Sequence, residues 1–567
     1  MCTGHNENKT YIQNGEHIAK SWNVAEWNSF RNKNELWDLF QAICHMIYLK
    51  QNKERGMEMQ KYLLAHDLGT SGNKATLFTI DGQLIKSSVS GYKTHYFQDN
   101  WAEQNPEDWW DAICASTRML IDGIDSSEIA AVSFSGQMMG CLPVDRNGKP
   151  LHDSIIWADM RAQDEEREIN AAIGSRNFFE ATGHRAGASY TLAKVLWLRK
   201  NKPEVIKNTY KLLQAKDYAV YKLTGKFLTD YSDAAGTNAF DINSFDWSDT
   251  ILDALDLSRD LFPDVVESTR IAGEITKEAA AECGLKKGTP VIVGAGDGGA
   301  GPLGAGCVSS ESTYCCMGTS AWIGHISDHL ILDKDMKLVN WPHAIPGLIS
   351  TNGTMQCAGT SYTWMLDNLC GLERYLAAQE PDGNVYAYID KVIESAAPGC
   401  NGLYYVPYLC GERCPRWDGY AKGGFYGLKM EHTHSDMVRS VIEGIAYNMR
   451  LILDIYKDYS NISQMAIIGG LVKSKSNLKI LADIMNVRLN TMNYRDEATS
   501  VGAAVLAGVG SGVIKDFGEV DKFTWKNDTQ EPDQSNRLLY DKMKDTFDST
   551  YYAMHDIYYK MSMQQEA

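Results

Sequence analysis

The stretch His66-Asp67-Leu68-Gly69-Thr70-Ser71 shares its Gly-Thr-Ser motif with a second stretch, Cys316-Met317-Gly318-Thr319-Ser320. Each copy lies between two runs of mostly β-forming or apolar residues, a pattern that predicts a strand, a tight turn and a second strand. The copies stand nearly half the chain apart, which is far longer than a solenoid repeat and indicates a duplicated domain. The sequence therefore predicts two large, related domains.

The Gly-Thr-Ser turns have the chemistry of a phosphate site. Glycine lets backbone N–H groups approach an anion without an intervening Cβ, and the two hydroxyls add donors. Only the first copy has an acid at the strand end, because Asp67 aligns with Cys316. A lone carboxylate beside phosphates is typical of Mg²⁺ binding, so Asp67 is the predicted metal-binding residue. The alternative is that both stretches are ordinary turns and that Asp67 only ends a strand.

The composition limits the classes of function. The 567 residues are 44% hydrophobic and carry 72 Asp and Glu against 55 Lys and Arg, a net charge of -17. No general nucleic-acid surface is expected of such an acidic chain, although backbone amides can still hold a small anion. The 13 cysteines lack Cys-x-x-Cys spacing, which argues against a zinc ribbon or a disulfide scaffold and favours a reducing cytoplasm. No apolar run approaches the roughly 20 residues that span a membrane.

Residues 1–60 differ from the rest of the chain. A polar, Asn-rich segment leads into aromatic and aliphatic residues at near-helical spacings, without the arrangement of a signal peptide. This extension is interpreted as an amphipathic arm, a partner-binding segment, a disordered region, or sequence from an over-long gene model that really starts at Met57 or Met59. We favour the last interpretation, because a strand beginning at Tyr62 would normally open such a domain.

After the first turn the pattern predicts a third strand over 83–88, a helix over 107–124 and a buried strand over 129–134. Ligands collect where the strands of open α/β sheets end, so Gln137 to Gly140 is placed on the side of a cleft that would hold a sugar or another second substrate. The alternative is a glycine-bounded turn with two core methionines. A strand over 155–161 would place Trp157, Asp159 and Arg161 on one face, where the last two can pair.

The segment from Pro290 to Gly306 predicts a buried strand, a glycine-rich turn bearing Asp297 and a helix opening near Ala300. A carboxylate at a helix N-terminus is expected to stay ionised and to serve as a base in phosphoryl transfer. A role as N-cap is compatible with that function. The same segment matches the dinucleotide fingerprint only weakly, because no acid follows about 20 residues on. The chain has no P-loop sequence, which excludes a P-loop kinase.

Near the end, a strand over 465–468 meets Gly469-Gly470, whose glycines would let the backbone lie against a purine or ribose. Lys473-Ser474 leads into a helix. A second, Gly/Ala-rich helix over 501–508 is expected to pack on the sheet beneath that pocket.

With these features the chain resembles the FGGY carbohydrate kinases, members of the actin-like, ribonuclease H-like ATPase superfamily, and within them the xylulokinases. The resemblance covers about Tyr62 to Phe517. Two motifs carry it: Ser189-x-Thr191-x-x-Lys194-Val-x-Trp197-Leu-x-Lys200-Asn201, and Gly423-x-Phe425-x-Gly427-Leu428 through Asp436-Met437-x-x-Ser440-Val-Ile-Glu443.

The resemblance implies an α/β fold of two actin-like (ribonuclease H-like) ATPase domains with an interdomain cleft that binds ATP and Mg²⁺. The expected divisions are the extension 1–60, an N-terminal domain 61–308, a C-terminal domain 309–520 with the second phosphate loop and the adenosine site, and a helical tail 521–567. A small sugar and ATP are the expected ligands. Neither nucleic acid nor a membrane is an expected partner, and a homodimer is a candidate assembly.

The resemblance also assigns the site residues. Asp297 would be the catalytic base, and Asp67 would serve the metal. The nucleotide and its phosphates would be bound by Gly69, Thr70, Ser71, Asn73, Lys74, Gly318, Thr319, Ser320, Gly469, Gly470, Lys473 and Ser474. The sugar would be bound by Trp101, Gln137, Met138, Met139, Asp297 and Gly298.

Three positions depart from the xylulokinase pattern. Met139 replaces a usual His, Gly298 replaces a usual Asn, and Leu471-Val472 replaces Gly-Ala in the adenosine loop, where it would add bulk beside the base. Losing polar partners should weaken recognition of one particular sugar. The expected function is ATP-dependent phosphorylation of a primary hydroxyl of a small sugar, most directly D-xylulose. The alternatives are an FGGY kinase for another ketose, a polyol, a sugar acid or a deoxysugar, a catalytically weak sugar-binding regulator, and an NAD-dependent dehydrogenase.

Overall fold

Two seven-stranded sheets, one in each half of the chain, organise the computed structural model, which describes residues 61–98, 100–380 and 383–565. The expectations for residues 1–60 lie outside the described residues. Within the described part, no helix is both long and apolar enough to cross a membrane.

The first half alternates strands and helices after an opening meander. Its elements are β1 (Tyr62–Leu68), β2 (Gly72–Thr79), β3 (Leu84–Gly91), β4 (His95–Phe97), β5 (Trp101–Gln104), α1 (Pro106–Ile121), β6 (Ile129–Gly136), β7 (Leu142–Val144), β8 (Ser154–Ile155), α2 (Gln163–Ile173), α3 (Ser175–Thr182), α4 (Thr191–Asn201), α5 (Pro203–Asn208), β9 (Lys211–Leu213), α6 (Ala215–Thr224), β10 (Leu228–Asp230), α7 (Tyr231–Ala235), β11 (Phe240–Asp241), β12 (Asp246–Trp247), α8 (Asp249–Ala254), β13 (Asp264–Val266), β14 (Ile271–Glu274), α9 (Lys277–Cys283), β15 (Pro290–Ile292), β16 (Ala295–Gly296) and α10 (Asp297–Gly304).

The second half begins with another meander. Its elements are β17 (Thr313–Met317), β18 (Ala321–Ser327), β19 (Val339–Pro342), β20 (Ile349–Met355), α11 (Gly359–Asn368), α12 (Gly371–Ala377), α13 (Val385–Ser395), β21 (Tyr404–Val406), β22 (Gly424–Tyr426), α14 (His434–Tyr456), β23 (Gln464–Ile468), α15 (Lys475–Met485), β24 (Arg488–Met492), α16 (Ala498–Ser511), β25 (Lys526–Gln530) and α17 (Arg537–Gln565).

The two large sheets repeat one arrangement around the Gly-Thr-Ser turns. The first has the order β14-β15-β6-β1-β2-β3, with the short β16 also paired to β6 as its seventh strand. The second has the order β19-β20-β18-β17-β23-β24-β25. In each, the strand that enters the turn pairs antiparallel with the strand that leaves it, and parallel with a strand from later in the chain. The predicted strand, turn and strand are therefore confirmed in both copies, as is the duplication.

Burial on both faces explains the apolar character of the central strands. Every residue of β6 is buried, and β1 is buried from Leu63 to His66. Parallel neighbours with helices on both sides have this composition, because neither face meets water. One face packs on α1, which begins at Pro106 with Asn105 as its N-cap and buries Trp109 and Trp110.

The Gly/Ala-rich helix α16 covers the other face of the first sheet. It contacts β1, β6 and α10, so the expected position beneath the adenosine pocket is wrong. Small residues allow this approach: a Cβ on Gly304 would lie 1.7 Å from the Ala498 carbonyl oxygen, and one on Gly502 would lie 2.1 Å from that of Ala300. A helix from the second half is thus built into the core of the first.

Two further expectations need correction. The strand expected over 155–161 ends at Ile155, because Asp159 turns its carboxylate back to accept the amide of Ala102 on β5 at 2.6 Å. The expected pairing of Asp159 with Arg161 is present, at 2.7 Å. In the expected helical tail 521–567, strand β25 pairs with β24 at the edge of the second sheet before α17 begins.

Candidate active site

The first Gly-Thr-Ser turn joins β1 to β2 and leaves one side of its backbone open. The amide of Gly69 donates to the Gly72 carbonyl at 3.0 Å. A Cβ on Gly69 would meet only that carbonyl oxygen within 4 Å, at 3.5 Å, and Gly69 has no positive φ. In the described part of the chain, neither conformation nor packing therefore requires glycine here. The space suits the close approach of an anion to the backbone.

Side chains from neighbouring elements hold this turn in place. The carbonyl of Gly69 accepts the Tyr92 hydroxyl, and the carbonyl of Thr70 accepts Gln104 Nε2 at 2.6 Å. The Thr70 hydroxyl accepts Trp157 Nε1 at 2.9 Å, so its own hydrogen is available to a ligand. The turn is therefore fixed before a ligand arrives.

The second turn is held by backbone contacts. The amides of Gly359 and Thr360, at the start of α11, donate to the carbonyls of Gly318 and Thr319 at 2.9 and 3.1 Å. A Cβ on Gly359 would lie 2.5 Å from the Gly318 oxygen, so this approach depends on glycine. A Cβ on Gly469 would likewise lie 2.5 Å from the Met317 oxygen at the end of β17, and the φ of 103° at Gly469 favours glycine. The predicted adenosine loop thus adjoins the second turn.

Asp297 is the first residue of α10, not its N-cap, which is Gly296. Its Oδ1 accepts the Gly298 amide at 2.8 Å, and the side chain is exposed. Partial desolvation by the surrounding protein and, second, the charge of Asp67 nevertheless raise the pKa of Asp297 to about 7. The expectation that Asp297 is fully ionised at neutral pH is therefore wrong. Desolvation and the charge of Asp67 raise its pKa by more than the helix N-terminus and the hydrogen bond from the Gly298 amide lower it.

Electrostatic contacts place Asp297 between the two turns. The charge of Asp67, at the end of β1, acts on Asp297. Burial first, and then the charge of Asp297, raise the pKa of Cys316 at the end of β17 to about 12. Because such effects fade within about 10 Å in salt solution, both strand ends lie near the same carboxylate. The two turns face one cleft.

Residues from the second half reach the first turn. Thr499 Oγ1 of α16 donates to Asp67 Oδ2 at 2.6 Å. Burial raises the pKa of Asp67, against the Thr499 hydrogen bond and the charge of Lys74. Lys74 itself pairs with Glu497 at 3.1 Å and donates to the carbonyl of Asp496 at 2.9 Å. The ammonium predicted to bind phosphate is thus held by this segment in the structure.

The predicted sugar residues Gln137, Met138 and Gly298 lie at one end of the cleft. Gln137 Nε2 donates to Gln104 Oε1 at 2.7 Å, while Gln137 Oε1 is buried without a partner among the described residues. Met138 is buried against the Asp297 turn, with its sulfur 3.2 Å from where a Cβ of Gly298 would be. Met139 has a φ of 66°, and its carbonyl accepts Lys194 Nζ at 2.8 Å. This end of the cleft thus combines the apolar side chain of Met138 with one hydrogen-bond acceptor, Gln137 Oε1, that has no partner among the described residues.

Trp101 makes its ring contacts with protein groups. The Arg161 guanidinium lies 3.8 Å from the centre of its ring, and the ring of Trp197 lies 5.1 Å away, edge to face. Arg161 in turn pairs with Glu103 at 2.8 Å. Trp101 is thus packed against the same Arg161 that pairs with Asp159.

Two predicted nucleotide residues do not point into the cleft. Asn73 is fully buried and donates to Ser116 Oγ at 2.7 Å, because it lies on the opposite face of β2 from Lys74. Ser474 is buried as the N-cap of α15, with its hydroxyl accepting the Asn477 amide at 3.0 Å. Both side chains are therefore engaged within the protein, and a contact with the nucleotide would have to come from their backbone.

The adenosine loop differs from expectation in one further respect. Leu471 and Val472 pack into the core of the second half instead of projecting from the surface of the loop. Lys473 points outward and pairs with Asp496 at 2.7 Å. Gly470 has no protein atom within 4 Å of an added Cβ, so the loop surface is open at that residue.

A buried charged cluster beneath the cleft was missed from the sequence. Lys216 Nζ lies 2.8, 3.2 and 3.3 Å from the carboxylates of Asp217, Asp230 and Asp233. Asp233 Oδ1 would be 2.9 Å from a Cβ on Gly296, directly before Asp297. The sequence motif Asp230 to Thr237 is the only signal that could have indicated this cluster, because Lys216 is a single lysine in a helix that is buried on nearly all sides.

Sequence models of one family match both halves of the chain. The N-terminal domain of the FGGY family of carbohydrate kinases matches residues 62–304, and the C-terminal domain of the same family matches residues 313–511. The chain belongs to the FGGY family of carbohydrate kinases. It is therefore a sugar kinase, a phosphotransferase with an alcohol group as acceptor and ATP as the family's donor.

Relatives of this FGGY kinase act on more than one sugar class. A xylulose kinase of Staphylococcus xylosus is 30% identical over 462 residues, which cover 81% of this chain and 93% of the relative. A ligand-bound xylulose kinase from Lactobacillus acidophilus matches with a TM-score of 0.82 and 28% identity, over 88% of this chain and 100% of that one. A gluconate kinase from Lactobacillus acidophilus has the same score and identity, over 88% and 99%. The kinase fold is shown, and the sugar stays open between these classes.

Proposed function

We propose that this kinase transfers the γ-phosphoryl group of ATP to a primary hydroxyl of a ketopentose, D-xylulose first, with Asp297 as the base. The observation that carries the proposal is the position of Asp297, exposed between the two turns with a pKa raised to about 7. A base works best when its pKa lies near the working pH, since it must be ionised yet willing to take a proton.

The chemistry needs few groups. Asp297 takes the proton of the sugar hydroxyl as that oxygen forms a bond to the γ-phosphorus, and the bond from the γ-phosphorus to the bridging oxygen of ADP breaks. The backbone N–H groups and hydroxyls of the two Gly-Thr-Ser turns hold the charge on the transferring group. Because the turns come from different halves, closing the cleft would exclude water as a competing acceptor.

The residues at the first turn fit Mg²⁺. Asp67 and Asp297 are two carboxylates close enough for the charge of one to act on the other, and Mg²⁺ prefers carboxylate oxygens together with phosphate oxygens and water. Asp67 would hold the ion. When bound, Mg²⁺ supplies positive charge to the phosphates of ATP.

The cations around the sugar end favour a neutral substrate. Lys194 donates to the carbonyls of Met139, Ile156 and Ser189, at 2.8, 2.8 and 2.6 Å. Arg161 is paired with two carboxylates, and Lys216 with three. A sugar acid would need one of these charges released, at the cost of a buried ion pair or of hydrogen bonds. A ketose needs only hydroxyl partners, such as the open Oε1 of Gln137.

Measuring ADP release with D-xylulose, ribulose, gluconate, a polyol and a deoxysugar tests the proposal. We expect the highest kcat/KM for D-xylulose and a clearly lower value for gluconate. Preference for gluconate would refute the argument from the paired cations. Stabilisation against heat by a sugar without ADP release would favour the alternative of a sugar-binding regulator.

A further inference from the structure

Three side chains outside the cleft converge in the second half of the chain. Cys370 lies between α11 and α12, Glu373 is in the first turn of α12, and His434 is the first residue of α14. One sulfur, one carboxylate oxygen and one imidazole nitrogen all lie within 4.8 Å of one another. Cys370 and Glu373 are buried, at 0% and 6% exposure, whereas His434 is open to solvent.

The carboxylate of Glu373 lacks the partner that its burial demands. Its Oε2 has no hydrogen bond among the described residues, and its Oε1 lies 3.8 Å from His434 Nδ1, beyond hydrogen-bond distance. Leaving a buried carboxylate oxygen unpaired costs stability unless a cation or a donor arrives. Among the described residues, the basic group that faces the Glu373 carboxylate is His434, which carries a positive charge only when it is protonated.

The imidazole of His434 is oriented as a metal ligand. Its Nε2 lies 3.1 Å from the carbonyl oxygen of Leu369, a geometry in which Nε2 carries the hydrogen and donates it. Nδ1 then keeps its lone pair and faces Glu373. Histidines that bind metals are commonly fixed by such a hydrogen bond from the other ring nitrogen to a carbonyl.

We propose that Cys370, Glu373 and His434 bind one Zn²⁺, with water as the fourth ligand. A thiolate, an imidazole and a carboxylate form a set that Zn²⁺ accepts in tetrahedral geometry, and the thiolate disfavours Mg²⁺ and Ca²⁺. Bond lengths to zinc place such ligand atoms roughly 3.4–3.8 Å apart, so ligand atoms that lie within 4.8 Å of one another need to approach by at most about 1.4 Å. Binding releases the proton of the Cys370 thiol to water.

The site would join three helices far from the reacting atoms. Zn²⁺ would tie the connection between α11 and α12 to the first residue of α14, whereas α11 meets the second phosphate turn at its other end, through Gly359. The exposed face of His434 gives the ion a path of entry. We expect the ion to stabilise the second half rather than to take part in phosphoryl transfer.

The test uses the full chain, freed of metal by a chelator and titrated with Zn²⁺ or Co²⁺. In the unsubstituted protein we expect one ion per chain and, with Co²⁺, a thiolate-to-cobalt charge-transfer band. Cys370→Ser should abolish that band. Glu373→Gln and His434→Asn should each weaken Zn²⁺ affinity by about 10–100-fold or more. The matched controls Cys410→Ser and His555→Asn alter exposed side chains of the same types and should change neither result.

Two outcomes would overturn the site. One is a cobalt–thiolate band that persists in Cys370→Ser. The other is a Zn²⁺ affinity that stays within twofold of the unsubstituted protein in both His434→Asn and Glu373→Gln, which would indicate an adventitious ion only. Circular dichroism and ADP release without added zinc show whether each variant is folded. If Cys370→Ser does not fold, the exposed position of His434 makes His434→Asn the deciding variant.

Discussion

The two Gly-Thr-Ser turns have the same backbone setting but are supported in different ways. Their first glycines have matching surroundings, each with a single carbonyl oxygen 3.5 Å from an added Cβ. The first turn is braced by Tyr92, Gln104 and Trp157, whereas the second is braced by the backbone of α11. The turn geometry was thus kept after duplication while its support diverged.

The acid at the strand end marks the functional difference between the turns. The charge of Asp67, beside the first turn, helps to raise the pKa of Asp297. The aligned residue of the second turn, Cys316, carries no charge at neutral pH, because the pKa of its thiol is raised to about 12. Under the proposed function, the first turn would both bind phosphate and tune the base, whereas the second would only bind phosphate.

Replacing the base should have the largest effect. Asp297→Asn keeps the shape of the side chain but cannot accept the hydroxyl proton, so we expect kcat to fall by roughly 10²–10⁴-fold. ATP affinity, measured by calorimetry, should change little because the turns are untouched. Asp111→Asn, at an exposed position of α1, is the matched control. Turnover close to that of the control would remove Asp297 from the mechanism.

The pH profile tests whether Asp67 tunes Asp297. Only ionised Asp297 can act as a base, so kcat/KM should fall by about tenfold per unit as the pH drops below about 7. In Asp67→Asn one of the two causes of the raised pKa is gone, and the acid limb should move to lower pH. Cys316→Ser, the same position in the second turn, should leave the limb in place. An unshifted limb in Asp67→Asn would mean that desolvation alone sets this pKa.

Glycine substitutions separate ligand approach from packing. Gly69→Ala and Gly318→Ala meet only ordinary contacts in the protein, so we expect Tm to hold while the KM for ATP rises. Gly359→Ala places a Cβ 2.5 Å from the Gly318 oxygen and should destabilise the protein by about 1–3 kcal/mol. Thermal melts with and without ATP distinguish these results. A large loss of Tm in Gly69→Ala would show that the glycine serves the fold.

Much of the fold was predictable because its signals are local. Alternation and apolar runs located β1, β2, β6, β17 and β23, and the repeated turn revealed the duplication. The position of α16 was not predictable, because a Gly/Ala-rich helix fits any close-packed surface and its partner sheet lies far away in the sequence. The loop over 156–161 was missed for a related reason, since the hydrogen bond that the distant Ala102 amide donates to Asp159 accompanies the end of the strand.

The candidate site shows the same contrast between features with a local sequence signal and features set by long-range contacts. Motifs located the two turns and Asp297. Whether the side chains of Asn73 and Ser474 face a ligand or the protein interior depends on their direction, which only the three-dimensional structure reveals. The pKa of Asp297 was misjudged because local sequence shows the helix N-terminus but not the surrounding desolvation or the distant Asp67. Gln104, Trp157 and Thr499 support the first turn from three different elements, so no spacing rule could have gathered them.

The insertion of α16 into the first half has a consequence for any attempt to divide the molecule. A fragment ending near residue 308 would contain all of the first sheet yet leave Leu63, Ala65 and Ile292 without their cover. Exposed apolar surface of that kind promotes aggregation. During synthesis, the first sheet must therefore wait for almost 200 further residues before its core is complete, and chaperone assistance in that interval would be an advantage.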